Sequence, residues 1–233
     1  ARQDTRADRQ QAQAATQAAR KDVRQAAAAK RLPKARQEQM IAAQKARVSS
    51  YRSWQQAQRP ASQQAAATVQ RQHRKAQYAY IQDYNKRLWQ QQQRYATMSF
   101  DYGNDPYFYS APSWRYSRGG SWYTINQYGA KLLQQAINDG YGEGYHAGRA
   151  DRLDGWRADY RSSWVYENAS YGYNGYYLDR NEYNYYFRQG FQRGYEDGYY
   201  SRYQYGVYRN GNYSIVSAVL NTILGLQAYD YRY

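Results

Sequence analysis

The chain has no cysteine, and only two histidines, two methionines and four prolines among 233 residues. The absence of cysteine excludes disulfides, thiol redox chemistry, cysteine-ligated zinc and a cysteine nucleophile. Two histidines, His73 and His146, leave little for a histidine-rich metal centre or a Ser-His-Asp relay. Leu, Ile, Val and Phe are scarce. The 42 % hydrophobic content comes mostly from Ala and Tyr, so an ordinary aliphatic core is not available. No apolar run is long enough to span a bilayer; the nearest, 215–226, is short and contains Asn221 and Thr222.

What is present is unevenly placed. Residues 1–100 hold 20 Lys and Arg against 5 Asp and Glu, while residues 101–233 hold 13 of each, so the whole net charge of +15 belongs to the first 100 residues. All 17 glycines lie at or after Gly103, and 27 of the 32 tyrosines follow residue 100. Two segments with different physics meet near Phe100. The reading is a mainly α fold in three parts: a basic Ala/Gln/Arg-rich helical arm over 1–98, an aromatic loop over 99–123, and a Gly/Tyr-rich helical domain over 124–233.

Ala, Gln and Arg are strong helix formers. With Pro33 and Pro60 as the interruptions, helices are expected over about 2–31, 34–58 and 61–98. Val23, Leu32, Met40, Ile41, Val48 and Trp54 are too sparse to make a core-facing stripe of normal width. In the third helix, Ile81, Tyr84, Leu88, Tyr95 and Met98 fall on one seam with Gln91, like a short coiled-coil seam. Turn residues such as Asp105-Pro106, Pro112 and Gly119-Gly120 then alternate with aromatics through 99–123.

The clearest motif is a four-residue glycine period that occurs twice, at Gly140, Gly144 and Gly148 and again at Gly190, Gly194 and Gly198. The copies align at an offset of 50 residues, with Arg152 matching Arg202. Glycines spaced this way stack on one side of a helix, and each costs roughly 0.5–1 kcal/mol relative to Ala. Close approach of a second backbone offsets that cost. The charged residues between them, Asp139, Glu143, Arg193, Glu196 and Asp197, place the pairing in water. The two helices are therefore expected to pack on each other, with Tyr and Trp as the core. Thr124-x-x-Gln127 and Asp179-x-x-Glu182 look like capping boxes at their starts. Between them, Trp156, Tyr160, Trp164 and Tyr166 run at helical spacing, and residues 171–175 form a turn. An aliphatic helix is expected from about Ser214, either plugging the domain or docking on a neighbouring subunit.

The patterns GYxxGxxDRxxG, YxxAxYGYNGYY and YYFRxGFxxGYxDGYYSR, which run here over 144–202, resemble a Gly/Tyr-repeat domain of exported proteins of acidobacterial type. The likeness extends more loosely over 126–205. It implies export and a helical domain, and supplies no catalytic residue. Ala rather than Met at position 1 is also what signal-peptide removal would leave, so an extracytoplasmic, cell-surface location is expected.

Little in the chain points to chemistry. His146 has Glu143 a turn before it and Asp151 after it, which makes a weak metal or acid–base candidate; His73 sits among Arg71, Arg74 and Lys75. Asp151, Asp154 and Asp159 lack calcium-loop spacing. Gly140-x-Gly142-x-Gly144 does not follow a strand, as a phosphate loop would. No enzyme, metal or cofactor is expected.

The basic segment supports two uses. A core-poor helical arm needs a partner, and the simplest is another copy of the chain. The first expectation is thus a structural homopolymer (filament, tube or sheet), with arm arginines on a neighbour's aromatic faces. The alternative is an envelope protein whose arm grips an anionic polysaccharide or nucleic acid, with Tyr78, Tyr80, Tyr84 and Trp89 available for stacking. Either use draws on Arg52, Arg59, Arg71, Arg74, Lys75, Lys86, Arg87 and Arg94, with Tyr84 and Trp89. A sugar platform at Trp114 and Trp122 is a third option.

Overall fold

Six glycines decide the architecture. The computed structural model describes residues 31–230 and Gln17; the helix expected over 2–31 falls almost wholly outside them. Along the described chain run α1 (Lys34–Arg71), α2 (Lys75–Thr97), α3 (Pro106–Tyr109), β1 (Trp114–Arg118), β2 (Ser121–Ile125) and α4 (Gln127–Leu153). A 3-10 turn at Tyr160–Ser162 follows, then α5 (Trp164–Asn168), α6 (Arg180–Tyr199), β3 (Gly206–Arg209), β4 (Asn212–Ile215), α7 (Ser217–Leu224) and β5 (Gln227–Ala228). The fold is mainly α.

The glycine-notched helices α4 and α6 pack directly on each other and run parallel. A Cβ at Gly140, Gly144 or Gly148 would lie 2.0–2.1 Å from the carbonyl oxygens of Phe187, Phe191 and Tyr195 respectively. Reciprocally, one at Gly190, Gly194 or Gly198 would lie 1.9–2.1 Å from those of Ile137, Tyr141 and Tyr145. Each glycine thus faces the carbonyl three residues before its counterpart in the other repeat. This six-fold recurrence suits backbone Cα–H···O=C contacts. Aromatic rings close the flanks: Phe187, Phe191 and Tyr195 stack along α6 at 6.2–6.3 Å.

Hydroxyl-to-carboxylate bonds lock the same pair. Tyr141 on α4 donates to Asp197 on α6 at 2.8 Å, and Tyr195 on α6 donates to Asp151 on α4 at 2.5 Å. Asp197 is fully buried and also accepts from the backbone N–H groups of Gln204 and Tyr205, which ties the chain after α6 to the helix.

Several expectations are corrected. Pro60 does not end a helix; α1 runs through it. Pro60 and Gln56, whose carbonyl loses its helical donor, both lie on the exposed side, where water can serve that carbonyl. The break comes at 72–74, where His73 takes a left-handed φ of 57°. Met98 is not on the seam: it follows the end of α2 and is 47 % exposed. Residues 99–123 are not all loop. The Gly119-Gly120 pair, with φ of 55° and 81°, turns β1 into β2 as an antiparallel hairpin. Asn126 rather than Thr124 caps α4, by accepting from Gly129 N–H at 2.9 Å. Asp179 does cap α6, but Glu182 pairs with Arg118 and leaves the box open. The stretch from Trp156 to Tyr166 is a 3-10 turn plus the five-residue α5. Ile215 ends a β3–β4 hairpin, and α7 starts only at Ser217. Leu224 is fully buried and Val219, Leu220 and Ile223 pack on the common core, so this helix plugs its own chain.

Candidate functional site: a cationic groove between the first two helices

Helices α1 and α2 form a hairpin laid against α4 and the loop before α6, and three sets of bonds hold it there. At the hairpin's turn, Arg74 bonds Asp151 and stacks 4.5 Å over Trp156. No side chain of α2 caps its own start. The carboxylate of Asp154, just past α4, instead accepts from the N–H groups of Ala76 and Gln77, both at 2.8 Å, where a negative charge suits a helix N-terminus. Midway, Arg87 forks onto Glu143 of α4 at 2.5 and 3.0 Å, and Tyr80 donates to the Glu143 carbonyl at 2.9 Å. Further along, Gln44 of α1 pairs with backbone as a strand would, donating to Gly175 O and accepting from Tyr177 N–H at 2.9 and 2.7 Å. Tyr51 donates to the Tyr173 carbonyl.

Electrostatics follow from this packing. Burial alone would lower Arg87, but the hydrogen bond and charge of Glu143 more than reverse it, so the guanidinium is held firmly protonated. Burial pushes the Tyr80 and Tyr84 hydroxyls well above the ordinary phenol range, and Glu143 adds to the push. Burial also raises the Asp151 carboxyl, against the pull of Tyr195 and Arg74.

The basic residues singled out from sequence therefore divide. Arg74 and Arg87 are paired with carboxylates inside the chain, Arg87 with 30 % of its side chain exposed, and Tyr84 is fully buried with its hydroxyl on Asn168 at 3.0 Å. Lys75, Arg71 and Arg94 are exposed and scattered, with Arg71 resting on Thr68. Arg52, Arg59, Lys86 and Trp89 come together. They line a groove between α1 and α2, made of two clefts of about 210 and 440 Å³. The Arg59 guanidinium lies 4.6 Å over the Trp89 ring, and both residues belong to the walls of both clefts.

Much of the remaining lining is amide, beside Val48, Tyr51, Tyr95, Ala96 and Tyr176 in the first cleft and Ser62 and Ala66 in the second. Gln55, Gln56, Gln92 and Gln93 face the first cleft; Gln63, Gln82 and Asn85 face the second. Neither cleft has a carboxylate among the described residues that line it. Sequence reasoning missed the glutamines, whose only signal is a recurrence of Gln pairs on two helices.

The other candidates do not assemble. Glu143 and Asp151 are bonded to Arg87 and Arg74, and among the described residues no group of three or more His, Asp or Glu could hold a metal ion. Trp114 and Trp122 lie at opposite ends of the β1–β2 hairpin, and Arg115 covers the Trp122 ring at 4.7 Å. Among the described residues no helix is long and apolar enough to cross a membrane. Comparison with protein-family models, curated proteins and solved structures finds no match to this chain.

Proposed function

We propose that the chain is a binding protein for anionic polymers at the cell surface, with the α1–α2 groove as its site and no catalytic step. One observation carries this reading: Arg52, Arg59 and Lys86 line a groove with no carboxylate in its lining, while Asp151, Glu143 and Glu182 are spent on Arg74, Arg87 and Arg118. The resemblance to exported Gly/Tyr-repeat proteins supports the location, which cell fractionation tests. Binding is measured by retardation of an anionic polymer across a salt series. Three groove cations give a slope of roughly −2 to −3 in log affinity against log salt. Salt-insensitive binding, or none, removes the proposal.

Self-assembly into a homopolymer is the second reading, now by a different contact. Over 34–97, the arm finds its partners in its own chain, so insertion into a neighbour loses its motive there; residues 1–30 lie almost entirely outside the described residues. The observation that favours assembly is β2. It is the edge of the β2-β1-β5 sheet, with Trp122 and Tyr123 49 % and 43 % exposed, and an unpaired edge is a template for another strand. Sedimentation of Trp122→Ser against the parent protein tests it; unchanged assembly would exclude the edge.

A further inference from the structure

The groove's lining says which class of polyanion it takes. This rests on the anionic-polymer reading and narrows it: we infer that the ligand is a polyuronate, a polysaccharide whose sugar rings carry carboxylates, and not a nucleic acid.

The first ground is how the aromatic rings are used. Nucleic acids bind such grooves by stacking bases on open aromatic faces. Here the Trp89 ring is covered by Arg59. Tyr51 lies between Trp54 at 5.7 Å and Tyr173 at 4.6 Å, and Tyr176 packs on Phe100 at 4.0 Å. These three rings serve as supports, and Tyr95 is the fourth aromatic of the lining. What they hold up to the groove is the Arg59 guanidinium, locked in place by the Trp89 face.

The second ground is the donor and acceptor inventory. A phosphodiester backbone offers acceptors only. A side-chain amide offers two N–H donors and a carbonyl acceptor, which matches the hydroxyls of a sugar ring, each both donor and acceptor. Gln55, Gln56, Gln92 and Gln93 supply that match in the first cleft. In the second, Gln63, Gln82 and Asn85 do the same.

The third ground is charge geometry. Planar guanidinium groups take carboxylates, as they do phosphates, in a two-point fork, and Arg52 and Arg59 flank the amides of the first cleft, so the charge fits a polyuronate and the amides and rings set it apart from a nucleic acid. Arg59 and Lys86 stand in the second. Two adjoining clefts that share the Arg59–Trp89 stack fit consecutive residues of a chain, so a polymer should outbind its free monosaccharide.

The test measures the affinity of the full chain for polygalacturonate, neutral dextran and single-stranded DNA at one physiological salt concentration. Arg52→Gln, Arg59→Gln and Gln92→Ala are compared with Arg71→Gln, an exposed change outside the groove, and far-ultraviolet dichroism checks that each variant is folded. Polygalacturonate should bind tightest. Arg59→Gln should weaken it by at least about tenfold, the loss expected of one charge-assisted pair, and Arg71→Gln by less than about twofold. If single-stranded DNA binds as tightly and responds to the same groove variants, the polyuronate inference is wrong and the anionic-polymer reading stands. If polygalacturonate binds but Arg59→Gln behaves like Arg71→Gln, the groove is not the site and both are wrong. Absence of binding to either polyanion also overturns both.

Discussion

Alanine at Gly144 and at Gly142 should move stability in opposite directions, although the two positions lie on the same helix two residues apart. At Gly144 the new Cβ would sit 2.1 Å from the Phe191 carbonyl oxygen and 2.8 and 2.9 Å from its carbonyl carbon and Cα. All three are backbone atoms, so no side chain can swing aside. Relief requires α4 and α6 to part by about 1 Å, and a close-packed core resists that. Overpacking costs roughly 1–3 kcal/mol or more, against a helical gain of about 0.5–1 kcal/mol from replacing glycine. The net loss of about 1–2 kcal/mol lowers Tm by roughly 2–8 °C in a protein of this size. At Gly142 the nearest neighbour of the new Cβ is Tyr213 Cβ at 3.7 Å, an ordinary contact. There the helical gain stands alone, and Tm rises by roughly 1–4 °C. Thermal unfolding followed by circular dichroism, with urea midpoints as a second measure, reads both. If Gly144→Ala stabilises as Gly142→Ala does, the backbone-to-backbone contact does not exist and the fold described above is wrong.

Asp197→Ala should cost at least about 3 kcal/mol, because it strands three donors at a fully buried position: the Tyr141 hydroxyl and the N–H groups of Gln204 and Tyr205; a urea midpoint within error of the parent would contradict it. Pro60→Ala should stabilise by up to about 3 kcal/mol by restoring the N–H of α1 at an exposed site; a Tm at or below that of the parent would contradict it. Burial, with nearby Glu143 and no adjacent cation among its main influences, raises the Asp139 carboxyl from 3.8 to about 7, while the hydroxyl of Tyr183 pulls the other way. A carboxyl raised on folding adds stability that is complete below its unfolded pKa and is lost as pH rises through the folded one. The parent should therefore lose stability relative to Asp139→Asn between about pH 4 and 7; parallel curves of stability against pH would refute it.

The glycine contact was legible in sequence because it rests on a strict period and on residues that have no other use at those positions. The 50-residue offset even reads out the register, since matching glycines lie side by side in the parallel pair. The docking of the basic segment was hidden. Apolar periodicity sees Leu and Val, whereas α1 buries Gln44, Tyr51, Ser62 and Ala66 with a single valine, Val69. A glutamine that hydrogen-bonds like a strand and a tyrosine that caps a carbonyl carry no hydrophobic signal. Charge counting misled for a related reason: net charge over 1–100 does not show that Arg74 and Arg87 find Asp151 and Glu143 more than fifty residues away. The Gly119-Gly120 hairpin was readable, with alternating strands on both sides, but the density of turn residues around it pointed to loop.

The claim at the centre of this account is that an anionic polymer lies between α1 and α2. Backbone hydrogen–deuterium exchange with and without polygalacturonate tests it most directly. Added protection is expected over 48–63 and 82–96, with the glycine-notched core over 137–150 and 187–198 unchanged. Protection confined to the β1–β2 hairpin or to the chain after α6, with 48–63 and 82–96 unchanged, would contradict it.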